Sequence, residues 1–487
     1  MPVSASYCPE PRFSAFNAGP LGPEFGDPVR PAAFPQAILR HRNPRAAASV
    51  GLEGLTEAEW LAHFAAFEPL PGNQPEPLAM RYHGHQFRSY NPDLGDGRGF
   101  LFAQLRDDKG RLLDLATKGS GQTPWSRTAD GRLTLKGGVR EVLAAAMLEA
   151  LGVPTSKAFS LVETGEDLIR HDEPSPTRSA VLTRLSWSHI RFGSFQRHAF
   201  HEAPERIAAR IDHAVETYYP ELAGLEGEAR ASGFLAAVVT RTARLAARWM
   251  AAGFVHGVLN TDNMNVTGES FDYGPYRFLP RNEPGFTAAY FDHSGLYAFG
   301  RQPEACFWNL QRLASALALV CPPEPLIEAL NRYGPLYRDA LAEAVVLRLG
   351  LQRAAVEAEV ALADAAFRAL GKGGEALGWE PFFFDWFGGG EERALRSQRA
   401  GLYAGGAFLA FRGLLKGFAA DRPERLADPY FARAEPETLL YDEIEALWAP
   451  IAEADDWSLF HAKLERIATA RIAYKLEGDM APGNREA

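Results

Sequence analysis

The chain has 487 residues, 46% of them hydrophobic and 23% charged, proportions that suit a globular protein of two or three ordinary domains or one two-lobed one. A formal net charge of −10 with no basic block argues against nucleic acid as the main partner, because neutralising phosphates takes clustered Lys and Arg. The cysteines Cys8, Cys306 and Cys321 form no CxxC pair, which signals neither a zinc site nor a disulfide framework and leads us to expect a reducing, cytoplasmic compartment.

The start, MPVSASYCPEPRF, has no charged region followed by an apolar stretch, so no secretory leader is expected. Nor is there an apolar run long enough to span a membrane. Residues 1–50 are rich in Pro, Ala and Phe with weak periodicity and read as part of an N-terminal arm, 1–80, whose Phe13, Phe16, Phe25 and Phe34 pack onto the core. GFLFAQLRD and RLLDLATKG, joined by DDKG, predict a hairpin over 99–118. Val139, Val142, Leu143, Ala146, Met147 and Ala150 follow the i, i+3, i+4 rule and predict a helix over 138–151. Strands are expected at 157–163 and 179–185. The β-β-α-β-β order is that of a kinase small lobe, here 81–200.

Helices are predicted at 203–217 and 232–251, then a loop, HGVLNTDN, and FDYG; together these make a large lobe over 201–320. From 303 the reading is helical, at 303–320, 322–348 and 350–371. A Gly-rich break spans 372–400, more helices run to about 477, and a disordered tail, MAPGNREA, ends the chain. The fold class expected is α+β: a small β-rich lobe with one key helix, a large helical lobe, the N-terminal arm, and a helical C-terminal extension over 321–487.

Several residues carry chemistry in this frame. Lys118 ends a strand, and Glu141 sits on a helix that is apolar on two sides, with Ala144, Ala145 and Leu148 on the glutamate's own face. A carboxylate there needs a cation, and a strand lysine with a helix glutamate is how kinases hold nucleotide phosphates. The same pair also reads as two ordinary charges. Gly95, Gly97 and Gly99 alternate before a strand, where glycine lets backbone N–H groups approach phosphate and Arg98 adds a charged fork. A plain turn is the alternative.

In HGVLNTDN, His256 and Asn263 keep the frame of the kinase HRD-to-Asn loop, but Val258 fills the position of the HRD aspartate. Asp262 stands beside Asn263 instead, and Asp272 of FDYG is placed as a metal ligand. A turn role for Asn260 and Asp262 stays open. His256 reads as structural. Arg184 and Arg191 can converge on one phosphate, or each can be surface charge.

The stretches YHGHQF (82–87), GDGR (95–98), KGSGQTPWSRTADGR (118–132), LSWSHIRFGSF (185–195), HGVLNTDNM (256–264) and FDYGPYRFL (271–279) resemble the selenoprotein O family. The resemblance implies a kinase-like fold and an adenylyltransferase that moves AMP from ATP to Ser, Thr or Tyr hydroxyls of proteins. In that family the nucleotide lies flipped relative to ordinary kinases. The resemblance also implies that Gly95, Gly97, Arg98, Lys118, Asp130, Gly131, Arg184, Arg191 and Asp272 contact ATP. Asn263 and Asp272 would hold Mg²⁺ or Mn²⁺, Glu141 would support Lys118, and Asp262 would be the base.

A monomer is expected, with protein substrates and neither nucleic acid nor membrane as partner. Arg88, Gly137, Gly138 and Leu296 depart from the family pattern, and the C-terminal selenocysteine or cysteine of many members is absent. Phosphotransfer from the same fold and a non-catalytic ATP-binding scaffold are the alternatives. Val258 argues against the first, and the intact Lys118, Glu141, Asp262, Asn263 and Asp272 argue against the second.

Overall fold

The computed structural model describes residues 4–171 and 173–476; the tail read as disordered lies outside them. The fold is mixed α+β. Its centre is an eight-stranded sheet in the order Gly26–Pro28, Leu78–Met80, Leu101–Arg106, Leu112–Lys118, Thr177–Ser186, Lys157–Leu168, Ile38–Arg42, with Leu133–Thr134 pairing beside Thr177–Ser186. All the pairings are antiparallel. The hairpin and the two later strands lie where the sequence predicts them. The sheet also draws in three strands from the segment read as an arm, Gly26–Pro28 and Ile38–Arg42 at the two ends of the strand order and Leu78–Met80 next to the first.

Leu112–Lys118 is buried along its whole length, as expected of a strand covered on both faces. Leu113, Leu115, Val181 and Leu185 face a cluster built by the arm's Trp60 and Phe64. Leu182 faces the opposite cluster, with Val139, Val142 and Leu143 of the Leu135–Ala150 helix. Leu182 pairs with Lys118, and Arg184 lies two residues further along the same strand. The two-residue period of a strand therefore puts Lys118 and Arg184 on one face, the face that the helix of Glu141 covers.

That helix begins at Leu135, three residues before the predicted start, because Thr134 caps it by accepting a hydrogen bond from the Gly137 amide at 3.1 Å. A Cβ on Gly138 would lie 2.4 Å from Leu161 Cδ1. Gly138 therefore allows close approach of helix to sheet.

The remainder is helical. Gly227–Ala251 buries Phe234, Leu235, Val238 and Val239 and packs against Tyr333–Arg348. Two expectations are corrected. The helix read as 322–348 is broken at Arg332 into Pro323–Asn331 and Tyr333–Arg348. The Gly-rich break at 372–400 contains helices Trp379–Asp385 and Glu391–Arg396, because the aromatic run around Trp379, Phe382, Phe383 and Trp386 is fully buried and overrides the glycines on either side. Helix Phe192–Phe200 was not expected. Arg88, at a departure from the family pattern, holds a left-handed backbone with φ 65°, which explains why glycine suits that position. Among the described residues no helix is long and apolar enough to cross a membrane.

Candidate active site

The covered face of the sheet brings the predicted charges together. Lys118 Nζ donates to Glu141 Oε1 and, at 2.8 Å, to Asp272 Oδ1. Arg184 Nη1 donates to the same Asp272 oxygen at 2.8 Å, and Arg191 Nη2 lies 3.9 Å from the other. Lys118, Glu141, Arg184 and Arg191 are all buried, so the surface-charge alternative fails for both arginines. Asp272 adopts φ 65°, a left-handed conformation that Asp tolerates better than most residues. Burial alone would raise the Asp272 carboxyl, but Lys118, Arg184 and Arg191 outweigh it and hold it well below the usual carboxylate range.

Across from this cluster runs the loop of residues 256–264. His256 is fully buried; its Nε2–H donates to the Phe271 carbonyl at 3.0 Å, and its amide donates to Gln302 Oε1 at 2.9 Å. Burial lowers its pKa, so it serves as a neutral strut, as the sequence suggested. Asn260 Oδ1 accepts from the Phe87 amide at 3.1 Å and the Tyr297 hydroxyl at 2.8 Å. Asp262 lies in a short 3₁₀ turn, Thr261–Asn263. Its Oδ1 is buried without a hydrogen-bond partner among the described residues. Burial raises its carboxyl to about 6, against the pull of Arg191. Such a group is a poised proton acceptor.

The Gly-rich segment closes a third side. Its glycines answer to packing: a Cβ on Gly95 would lie 2.3 Å from Trp125 Cγ, one on Gly97 2.8 Å from the Trp125 carbonyl, and one on Gly99 2.0 Å from the Thr117 carbonyl. Residues 118–132 fold over this segment, with Thr123 Oγ1 donating to the Asp96 carbonyl and Ser126 Oγ to that of Gly97. Arg98 is exposed and has no side-chain ion pair or hydrogen bond among the described residues. Asp130 is exposed and holds Arg170 through contacts of 2.8 and 3.1 Å. Gly131 has φ 71° and touches Gly121 so closely that a Cβ would lie 2.3 Å from its carbonyl carbon.

All the predicted site residues except Glu141 line one cleft of about 870 Å³; Glu141 stands behind Lys118. Asp96 and Tyr82 are among the members the sequence reading missed. Asp96 Oδ1 accepts from Arg191 Nη1 at 2.9 Å, while its Oδ2 accepts from the Met80 amide at 3.1 Å. Tyr82 lies with its ring centroid 4.4 Å from the Arg191 guanidinium, a cation–π contact. Asp96 stands inside the GDGR motif, hidden between the glycines that drew attention.

The donor set suits a hard cation. Asn263 Nδ2 donates to the Val258 carbonyl at 3.0 Å, which leaves Asn263 Oδ1 as the free acceptor. With the Asp272 carboxylate it offers the few oxygen donors that Mg²⁺ or Mn²⁺ takes when waters and phosphates complete its shell. Among the described residues no group of three or more His, Cys, Asp or Glu can hold a metal alone, so the site is no all-protein cage. Arg184 Nε and Arg191 Nε are buried and unpartnered, donors that a polyanion would satisfy.

A family model described as protein adenylyltransferase SelO matches residues 14–468. The protein nucleotidyltransferase YdiU of Synechocystis sp. is 54% identical over 334 residues, 68% of this chain and 69% of its own. That of Synechococcus elongatus is 42% identical over 492 residues, covering 96% of each chain. That of Gloeobacter violaceus is 44% identical over 472 residues, covering 94% of each. The chain belongs to the SelO family of protein adenylyltransferases.

Proposed function

We propose that the protein transfers AMP from ATP to Ser, Thr or Tyr hydroxyls of other proteins, with Mg²⁺ or Mn²⁺ bound at Asn263 and Asp272. The fold in this reading is kinase-like and two-lobed, with residues 81–200 and 201–320 flanking the cleft and 321–487 as an extension. The observation that carries the reading is the displaced carboxylate. Val258 fills the position of the kinase base, whereas Asp262 has a buried, unpartnered Oδ1 and a carboxyl raised to about 6.

The acceptor oxygen attacks the α-phosphorus, its proton passes to Asp262, and the bond to the bridging oxygen of pyrophosphate breaks. Lys118, Arg184 and Arg191 hold the departing phosphates and offset the charge that builds on them. A bound divalent metal would neutralise phosphate charge and orient the oxygens. Phosphoryl transfer, the second reading, lacks a base at the position of Val258.

Asp262→Ala tests the assignment. Transfer of label from α-labelled ATP to protein falls about 10²–10⁴-fold, while ATP affinity measured by calorimetry is unchanged. Equal labelling by the variant overturns the role of Asp262.

A further inference from the structure

The cleft is divided electrostatically. Its cations, Arg98, Lys118, Arg127, Arg132, Arg170, Arg184 and Arg191, all come from segments before residue 192. The lining from segments after it, which includes Val258, Asp262, Asp272, Pro275 and Tyr290, holds no cation. Gly257 holds this second side together: at φ 87°, a Cβ there would lie 3.0 Å from both Ala288 Cβ and Pro275 Cγ. The segment leading to Tyr290 is thereby packed against the loop that carries Asp262. A polyanionic nucleotide is drawn to the cationic side, which leaves the side without cations, where Asp262 stands, for the other substrate.

Tyr290 is 76% and Phe291 44% exposed, unusual for neighbouring large aromatics at a cleft mouth. Their rings pack edge to face with centroids 5.1 Å apart. The pair is anchored. Phe291 lies 5.7 Å from Phe87, and Phe87 lies 5.0 Å from Tyr297, whose hydroxyl donates to Asn260 two residues before Asp262. A group resting on Tyr290 and Phe291 is therefore held in register with the Asp262 loop.

We infer that Tyr290 and Phe291 form the acceptor wall of the site and select protein segments with an apolar side chain next to the hydroxyl to be modified. The inference rests on the adenylyl transfer proposed above. Its chemistry is charge complementarity: the cationic side takes the triphosphate, and the aromatic side takes an uncharged, apolar stretch of polypeptide. An acidic segment would compete for the cations with the nucleotide and gain nothing from the aromatic pair.

The test uses two synthetic peptides, each with one serine, flanked by leucine in one and by aspartate in the other. AMP incorporation from α-labelled ATP is measured for the full-length protein and for Tyr290→Ser/Phe291→Ser. Wild type is expected to favour the leucine peptide about tenfold in kcat/KM, the scale of one apolar contact. The double variant should lose that preference, mainly through KM, while ATP affinity stays within about twofold. Both substitutions replace exposed aromatics with small polar residues, and a melting scan checks the fold.

A variant that keeps the preference, or a wild type that labels both peptides equally, overturns the inference. So does label that reaches whole proteins but neither peptide. Light scattering that shows a wild-type dimer and a monomeric double variant would assign the aromatics to a self-interface and also overturn it. A wild type that places α label on nothing at all refutes the adenylyl transfer itself, a distinct result.

Discussion

Asp272→Asn offers the sharpest test of how the site balances charge. In the cluster, Lys118, Arg184 and Arg191 face three carboxylates, Glu141, Asp272 and Asp96. The substitution leaves one buried cation without a counter-charge. Removing one partner from a buried ion pair typically costs about 3–5 kcal/mol. The Asp272 side chain is 20% exposed and the asparagine keeps an acceptor oxygen, so we take about 2 kcal/mol.

In a protein of this size that corresponds to a fall in melting temperature of about 2 °C. The polyanion should then reverse the order. In a chelator-containing buffer, metal-free ATP supplies the missing negative charge and raises the melting temperature of Asp272→Asn more than that of wild type. With Mg²⁺ the order inverts, because the variant lacks a metal ligand. Differential scanning fluorimetry under the four conditions reads all of this. Unchanged stability of the variant without nucleotide, or a larger metal-free ATP shift in wild type, would refute the charge-balance reasoning.

Two further outcomes follow from the same geometry. Glu269 accepts from the Trp187 amide at 2.8 Å, and burial pushes its carboxyl from 4.5 up to about 7 against the pull of Lys157. The folded chain therefore binds this proton more tightly than the unfolded one, and the resulting stability is full below pH 4.5 and lost as pH rises through about 7. Glu269→Gln should flatten that decline and gain up to about 2 kcal/mol relative to wild type at pH 8, as read by denaturant melts across pH. Gly95→Ala forces Trp125 aside, since the new methyl would lie 2.3 Å from Cγ. It should cost about 1–3 kcal/mol and weaken ATP binding in calorimetry, whereas Gly274→Ala, with nothing within 4 Å, should do neither.

What the sequence disclosed was the chemistry that local pattern carries. Glu141 announced itself as a carboxylate on a helix with apolar neighbours, and its partner Lys118 as a charge ending an apolar strand. The spacing of Arg184 and Arg191 allowed their convergence, and Asp130, Gly131 and the role of Asp262 came through family resemblance alone. What stayed hidden depends on partners distant in sequence. Gly26–Pro28 and Ile38–Arg42 are short strands in a Pro-rich context, strands only because Leu78–Met80 and Lys157–Leu168 offer them edges to pair with. The helix starting at Phe192 has no side-chain cap. Asp96 looked like a turn residue, and its grip on Arg191 crosses 95 residues. The alternating glycines suggested room for phosphate, whereas Trp125 fills much of that space.

The central claim is that this site moves AMP and not phosphate, and the most direct measurement follows both ends of ATP. The purified protein is incubated with Mg²⁺ or Mn²⁺, a mixed protein acceptor, and ATP labelled in parallel reactions at the α- or the γ-phosphate. The α label is expected to become acid-stable on protein while the γ label leaves as pyrophosphate. Transfer of the γ label to protein would contradict the account.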